Sequence, residues 1–225
     1  MKITWLGQAG LLFENEKVKI MIDPYLSDSV EKVNPKNYRR QPVCEEIFDI
    51  KPDIMIFTHN HLDHYDPETA ERFINEDSAI TVLSPASVFA VVRSLGGNNN
   101  FVLFNDGTSW TEKGIRLTAV RAEHSDPTPI GVIIDDGNKK YYVTGDTLYN
   151  EKNFEHIPND IYALFLPING VGNNMNTVDA NRFCERINPE IAVPIHFGMF
   201  DELDASLFEY KNKIVPEIYK EIKFV

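Results

Sequence analysis

Short apolar runs, each about the length of a β-strand, recur along the 225-residue sequence. They are rich in β-branched and aromatic residues and are separated by turn residues, a pattern that is typical of strands. It predicts strands over residues 3–6, 11–14, 18–22, 54–58, 80–83, 115–122, 131–134, 141–144, 161–166 and 191–195. None of these runs is long enough to span a membrane as a helix.

Segments with helical apolar spacing lie between several of these strands. Asp66 and Pro67 predict a helix that runs to about residue 75, because an N-cap aspartate before a proline is a common helix start. The spacing predicts further helices over residues 85–95, 177–187 and 205 to about 214. We therefore expect a layered α/β protein with a mixed sheet, built as one domain over residues 1–225.

Composition narrows the partners and the compartment. The net charge of −12 provides no basic surface for nucleic acid or for an anionic membrane. The N-terminus enters a predicted strand without a signal-like apolar segment, and the two cysteines, Cys44 and Cys184, lie far apart in the sequence. These features predict a cytoplasmic protein with reduced thiols, and they are compatible with a homo-oligomer.

The segment Thr58–Asp66, THNHLDHYD, concentrates residues that bind metals. In an extended chain, side chains two positions apart point the same way, so His59, His61 and Asp63 share one side. His64 follows at the turn into the predicted helix.

Three other predicted strands also end near a metal-binding residue, namely His124, Asp146 and His196. Ligand sites in layered α/β folds gather at the carboxyl ends of strands, so we expect these side chains to meet. A catalytic zinc site usually takes three protein ligands and keeps one position open. The candidate ligands (His59, His61, Asp63, His64, His124, Asp146 and His196) therefore indicate two divalent ions.

These motifs, in this order and spacing, resemble those of the metallo-β-lactamase superfamily. The resemblance implies a four-layer αββα sandwich with a dinuclear site on one edge. It implies one ion held by His59, His61 and His124, a second held by Asp63, His64 and His196, and Asp146 bridging the two. Zinc or manganese is favoured, and iron and nickel also suit imidazole-rich ligation.

The surrounding segments WLGQAGLLFE, IDPYLSDS, RRQPVCEEI, LPINGVGNNMN and PIHFGMF are similar to the L-ascorbate-6-phosphate lactonase branch, although Gln8 stands where many relatives carry histidine. The function expected from this resemblance is hydrolysis of a lactone or ester of a small metabolite, and the resemblance allows a phosphorylated one. A metal-bridging hydroxide is the expected nucleophile, and Asp63 is expected to orient it or to carry a proton to the leaving group.

Other activities of this fold remain alternatives. A metal-dependent phosphodiesterase, acting on phospholipid or nucleotide diesters, would use the same ion pair. A diiron redox protein is disfavoured because His61 stands where such relatives usually carry a carboxylate. A non-catalytic scaffold is disfavoured because no ligand is missing.

Two ions would create a positive pocket in an acidic protein, so we expect a small anionic substrate. Its predicted contacts are Asn173 and Asn174, in a glycine-rich loop that leads into a helix, and Arg39 and Arg40 as anion clamps. Asp23, at the end of a predicted strand, is a candidate to orient a ligand histidine.

Overall fold

The computed structural model describes residues 1–224 and contains two six-stranded mixed sheets. In sheet A the strands lie side by side in chain order, and β3 to β6 run parallel. Its strands are β1 Lys2–Gly7, β2 Gly10–Glu14, β3 Lys19–Ile22, β4 Ile54–Ile56, β5 Thr81–Ser84 and β6 Asn100–Leu103.

Sheet B has the strand order β12-β11-β10-β9-β8-β7. Its first four strands along the chain form an antiparallel meander, and β10, β11 and β12 are parallel. The strands are β7 Ser109–Glu112, β8 Ile115–Arg121, β9 Ile130–Asp135, β10 Lys140–Val143, β11 Ile161–Pro167 and β12 Ile191–Ile195.

Helices cover the outer faces of both sheets. The α-helices are α1 Ser29–Val33, α2 Pro67–Phe73, α3 Ala86–Arg93 and α4 Thr177–Ile187, with short 3₁₀ turns at Glu45–Asp49, Glu151–Phe154 and Ala205–Leu207. None of the helices in residues 1–224 has the length and apolar character that crossing a bilayer requires.

The alternation of side chains along each strand divides the core into layers. In β4, Ile54 and Ile56 pack between the two sheets, whereas Met55 packs against α2 and α3. In β10, Tyr142 likewise faces away from the inter-sheet core and packs against α4. Both faces of these strands are buried, which explains their unbroken apolar sequence. The result is the four-layer αββα sandwich, as predicted.

The prediction of a helix over residues 205 to about 214 was wrong. Only Ala205–Leu207 forms a 3₁₀ turn, and the chain then runs alongside β12. There Ala192 N donates to Asn212 O at 3.0 Å and Ile214 N donates to Ala192 O at 2.9 Å. Pairing with an open sheet edge therefore prevailed over the helical spacing.

Candidate metal centre

The candidate ligands lie beyond the carboxyl ends of β4 in sheet A and of β8, β10 and β12 in sheet B. Two backbone hydrogen bonds join the sheets at this edge. Ile130 N donates to Thr58 O at 3.1 Å, and His196 N donates to Gln8 O at 2.9 Å. The four strand ends are therefore held close together where the side chains converge.

His59, His61 and His124 form the first cluster, with one ligand atom of each within 4.8 Å of the others. His124 Nε2 lies 3.1 Å from His61 Nδ1. On its other side, His124 Nδ1 lies 3.2 Å from the backbone oxygen of Asn173 and must donate to it. That contact fixes the tautomer and leaves Nε2 free to bind a cation.

Asp63, His64 and His196 form the second cluster within the same distance limit. His196 Nε2 lies 3.2 Å from Asp63 Oδ2 and 3.3 Å from His64 Nε2. Both histidines are buried, whereas Asp63 is partly exposed. The second cluster thus presents two nitrogens and one oxygen to a common point.

Asp146 lies between the clusters. Its Oδ1 is 3.2 Å from His64 Nε2, and its Oδ2 is 3.2 Å from His196 Nε2 and 3.9 Å from His124 Nε2. Gly145 before it has φ +62°, and a Cβ there would meet Ile130 O at 2.6 Å. Ile130 begins β9, so glycine is needed for the end of β10 to pass this close to its neighbouring strand and place Asp146.

Buried side chains orient two of the ligand histidines through contacts to their Nδ1 atoms. Asp23 Oδ2 lies 2.8 Å from His64 Nδ1, and Asp23 Oδ1 accepts from Thr58 N at 2.8 Å. Thr58 Oγ1 lies 3.1 Å from His59 Nδ1. Both imidazoles are thereby held with Nε2 toward the cluster, and Asp23 has the orienting position expected of it.

Gln8 is part of the site, although an amide side chain is not among the metal-binding types that marked the predicted ligands. Its Nε2 donates to Asp63 Oδ2 at 2.8 Å and lies 3.0 Å from His196 Nε2. The side chain is buried. The signal that finds it is position, since Gln8 directly follows β1 at the same sheet edge as the ligands.

The charges of the cluster depend strongly on one another. Burial lowers the pKa of His59 well below its ordinary value, and neighbouring His64 adds to this effect. For His196, Asp146 and Asp63 outweigh burial and raise the pKa to about 9. Burial would raise the pKa of Asp146, but the charges of His196 and His64 hold it well below its usual range.

These residues fit divalent cations. His59 Nε2 is buried and has no hydrogen-bond partner in residues 1–224, an arrangement that a metal ion would satisfy. The carboxylates otherwise have to be balanced by protonated imidazoles, and a cation would replace those protons because metal ligands are deprotonated. Imidazole with carboxylate is a donor set for zinc, manganese, iron or nickel.

Comparison with known proteins agrees with the ligand pattern. The family model described as a beta-lactamase superfamily domain matches residues 2–196. The chain belongs to the beta-lactamase superfamily. A UPF0173 metal-dependent hydrolase from Thermoplasma acidophilum is 31% identical, over 99% of this chain and 98% of the relative, so the chain also belongs to that group within the superfamily.

Two solved structures share the fold. A metallo hydrolase from Ignicoccus hospitalis superposes with a TM-score of 0.75 at 22% identity, covering 100% of this chain and 98% of the other. An isothiocyanate hydrolase from Delia radicum gut bacteria gives 0.78 at 18% identity, covering 100% and 99%. The finer resemblance to ascorbate-6-phosphate lactonases stays a prediction.

A cleft of about 410 Å³ opens beside the second cluster. Asp63, Asp146 and His196 reach it, and Asn174 lines it. Asn174 Nδ2 donates to Asp146 Oδ2 at 2.7 Å, whereas Asn173 contributes its backbone oxygen to His124. The two asparagines therefore also support ligands of this superfamily site.

The two arginines predicted as anion clamps are occupied elsewhere. The Arg39 side chain is 3% exposed; its Nη1 donates to Tyr25 O at 2.8 Å and its Nη2 to Tyr219 Oη at 3.0 Å. Arg40 Nη1 donates to Glu202 Oε1 at 2.6 Å. Neither arginine is among the residues that line the cleft. Both tie neighbouring loops together instead.

The N-terminus of α4, to which the glycine-rich loop of Asn173 and Asn174 leads, is also capped by the protein itself. The N-cap residue Asn176 accepts a hydrogen bond from Asp179 N through its side chain at 2.9 Å. Gly172, earlier in the same loop, does line the cleft. The helix N-terminus is therefore satisfied locally.

Proposed function

We propose that this protein is a dinuclear metal-dependent hydrolase that opens a lactone or an ester of a small metabolite. The observation that carries the proposal is the pair of three-residue clusters with Asp146 between them. One ion would be held by His59, His61 and His124. The second would be held by Asp63, His64 and His196. The two oxygens of Asp146 face both groups and suit a bridging ligand.

Two bound divalent ions would supply a water of lowered pKa as nucleophile and would polarise the bond that it attacks. Asp63 would orient that water or pass a proton to the leaving group. It lines the cleft, and the charges of His64 and His196 outweigh desolvation and hold its pKa well below the usual range. Its carboxylate is therefore ionised and available to a cation or to the hydrogen of a bound water. Gln8, which donates to Asp63 Oδ2, fixes its direction.

Removing one ligand tests the metal assignment. We expect His59→Ala and Asp146→Ala to lose both bound metal and hydrolysis, because each removes a donor that no neighbour replaces. Elemental analysis and lactone turnover would be measured on the same samples, with circular dichroism as a check on the fold. His156→Ala is the matched control, since His156 is exposed and lies outside the clusters. Two ions per chain in His59→Ala would contradict the assignment.

A substrate profile tests the reaction. Purified protein with zinc or manganese would be assayed on lactones, aryl esters and bis-aryl phosphodiesters. Brisk diester cleavage without lactone or ester turnover would replace the proposal with a phosphodiesterase. Full turnover after thorough chelation would show that hydrolysis does not need a metal.

A further inference from the structure

We infer that the cleft takes an uncharged substrate with an apolar substituent, and not the phosphorylated metabolite that the sequence resemblance allows. This inference rests on the proposed hydrolase and names the class of substrate for that same site. It depends on which side chains the cleft presents and on what surrounds them.

The cleft presents no cationic side chain of its own. Among the described residues that line it, none is lysine or arginine, and three are aspartates: Asp63, Asp146 and Asp201. These carboxylates would offset most of the positive charge that two divalent cations bring. Little attraction would remain for a phosphate dianion in a protein whose net charge is −12.

Nearby guanidinium groups are not free to turn toward the cleft. Arg39 is held by Tyr25 and Tyr219, and Arg40 is paired with Glu202. Arg121 lies in a separate cleft beyond His124, where its Nη2 donates to Glu123 Oε2 at 3.0 Å. A phosphate would have to break one of these pairs to gain a bidentate partner.

Three apolar side chains, which together we call the apolar wall, also line the cleft. They are Val30, Val171 and Phe200. Val171 is 62% exposed, so its methyl groups have little contact with the core and are available to a ligand. The ring of Phe200 is held edge-on to that of Tyr25, with centroids 5.6 Å apart. Covering this wall would remove apolar surface from water, which favours alkyl or aryl substituents.

The loop that carries Phe200 is fixed in place. Asp201 Oδ1 accepts from Gly198 N and Leu203 N, each at 2.9 Å. Arg40 N donates to Met199 O at 3.0 Å. The Phe200 part of the wall is therefore pre-organised, and little conformational entropy of that loop would be lost when a substrate binds against it.

A homologous series of lactones tests the inference. With metal-loaded protein, we expect kcat/KM on γ-alkyl-γ-lactones to rise about threefold to fourfold for each of the first few methylenes, the gain typical of burying a CH₂ group. A γ-hydroxymethyl lactone and its phosphate ester form a matched pair that differs only by the phosphate group. We expect the phosphate to lower kcat/KM about tenfold or more. Equal or better turnover of the phosphate ester would overturn the inference.

A near-isosteric substitution separates the apolar wall from general effects on the fold. Val171→Thr keeps the shape and replaces a methyl group with a hydroxyl, so we expect it to reduce the preference for long over short chains about twofold to fivefold. Val178→Thr is the matched control, because Val178 is 65% exposed on α4 and does not line the cleft. The same loss in both variants, or in neither, would argue against the wall.

Binding without hydrolysis distinguishes this inference from the proposed function. γ-Alkyl lactams resist hydrolysis, and their binding would be measured by calorimetry. Tighter binding with longer chains, without turnover of any lactone or ester, would keep the substrate class and refute the hydrolase. Lactone turnover that favours the phosphate ester would keep the hydrolase and refute the substrate class. Lactam binding that is independent of chain length would also refute it.

Discussion

Three of the residues that build the site have a backbone conformation that is uncommon outside glycine. Gln8, Asp23 and His196 have φ values of 48°, 43° and 59°. Each directly follows a strand, β1, β3 or β12. A left-handed residue there turns the chain at once and directs the side chain across the sheet edge. Such strain persists where the surrounding structure enforces it, and it clusters at functional sites.

Gln8 is the residue whose role is most open to test. Its amide holds Asp63 and lies against His196, so Gln8→Ala should loosen two ligands of the same ion. We expect the affinity for that ion to fall about 10–100-fold, the usual effect of losing a partner that orients a ligand. Competition with a chromophoric chelator would measure it.

The control for this substitution is Gln41→Ala, because Gln41 is exposed. Within residues 1–224 its backbone oxygen accepts a hydrogen bond from Arg39 Nε, whereas its side chain makes none. Unchanged affinity in Gln8→Ala would show that the amide is dispensable. A similar fall in Gln41→Ala would point to a general effect on stability.

At the residue scale, the sequence predicted the site residues whose side-chain types are uncommon. Histidines and aspartates at strand ends are uncommon enough to stand out, and the structure brings the seven predicted ligands into touching clusters. Gln8 and Asn174 use ordinary amides, which occur everywhere on protein surfaces. Their roles depend on neighbours distant in sequence, and no local pattern shows those neighbours.

At the scale of elements, α2 is set directly behind the ligand segment by its cap. Asp66 is fully buried; its Oδ1 accepts from Glu68 N at 3.3 Å, and its Oδ2 accepts from the Thr69 hydroxyl. Thr69 Oγ1 in turn accepts from Leu26 N at 2.9 Å. The prediction of a cap at Asp66 is thus confirmed, and the cap also ties α2 to the loop after β3.

Asp66→Ala should lower the free energy of unfolding by about 1–2 kcal/mol, because the helix loses its cap and a buried hydroxyl loses its partner. Metal content should stay unchanged, since Asp66 is in neither cluster. Urea unfolding and elemental analysis would measure the two quantities.

Asp204→Ala is the comparison, because exposed Asp204 caps only the three-residue turn Ala205–Leu207. We expect its effect to stay within about 0.5 kcal/mol. Loss of metal in Asp66→Ala would mean that Asp66 does more than cap the helix.

The two strands that the sequence did not predict, β6 and β7, depend on position in the sheet. Strands β6 and β7 lie at outer edges, and their residues are exposed or only partly buried. An edge strand needs neither a continuous nor an alternating apolar pattern, so its sequence resembles a loop. The central strands are buried on both faces and were recognised readily.

At the scale of the whole molecule, the candidate site joins the two sheets. His59, His61, Asp63 and His64 follow β4 of sheet A, whereas His124, Asp146 and His196 follow strands of sheet B. The C-terminal segment also contacts both sheets, at β12 of sheet B and at β1 of sheet A. It pairs with β12 near residue 213 and with β1 near residue 221. The outer strands β1 and β12 are thereby partly covered, which leaves less open edge for pairing with another chain.

Because each cluster combines side chains from both sheets, bound metal should stabilise the whole fold. A ligand that binds only the folded state adds about 2.7 kcal/mol at a concentration 100 times its Kd. For a chain of this size that corresponds to a rise in Tm of roughly 5–11 °C. Calorimetry of chelator-treated protein, titrated with zinc or manganese, would measure the rise. We expect His156→Ala to respond as the wild type does and Asp146→Ala to respond far less. A Tm that is independent of added metal would mean that the two sheets do not share a cation.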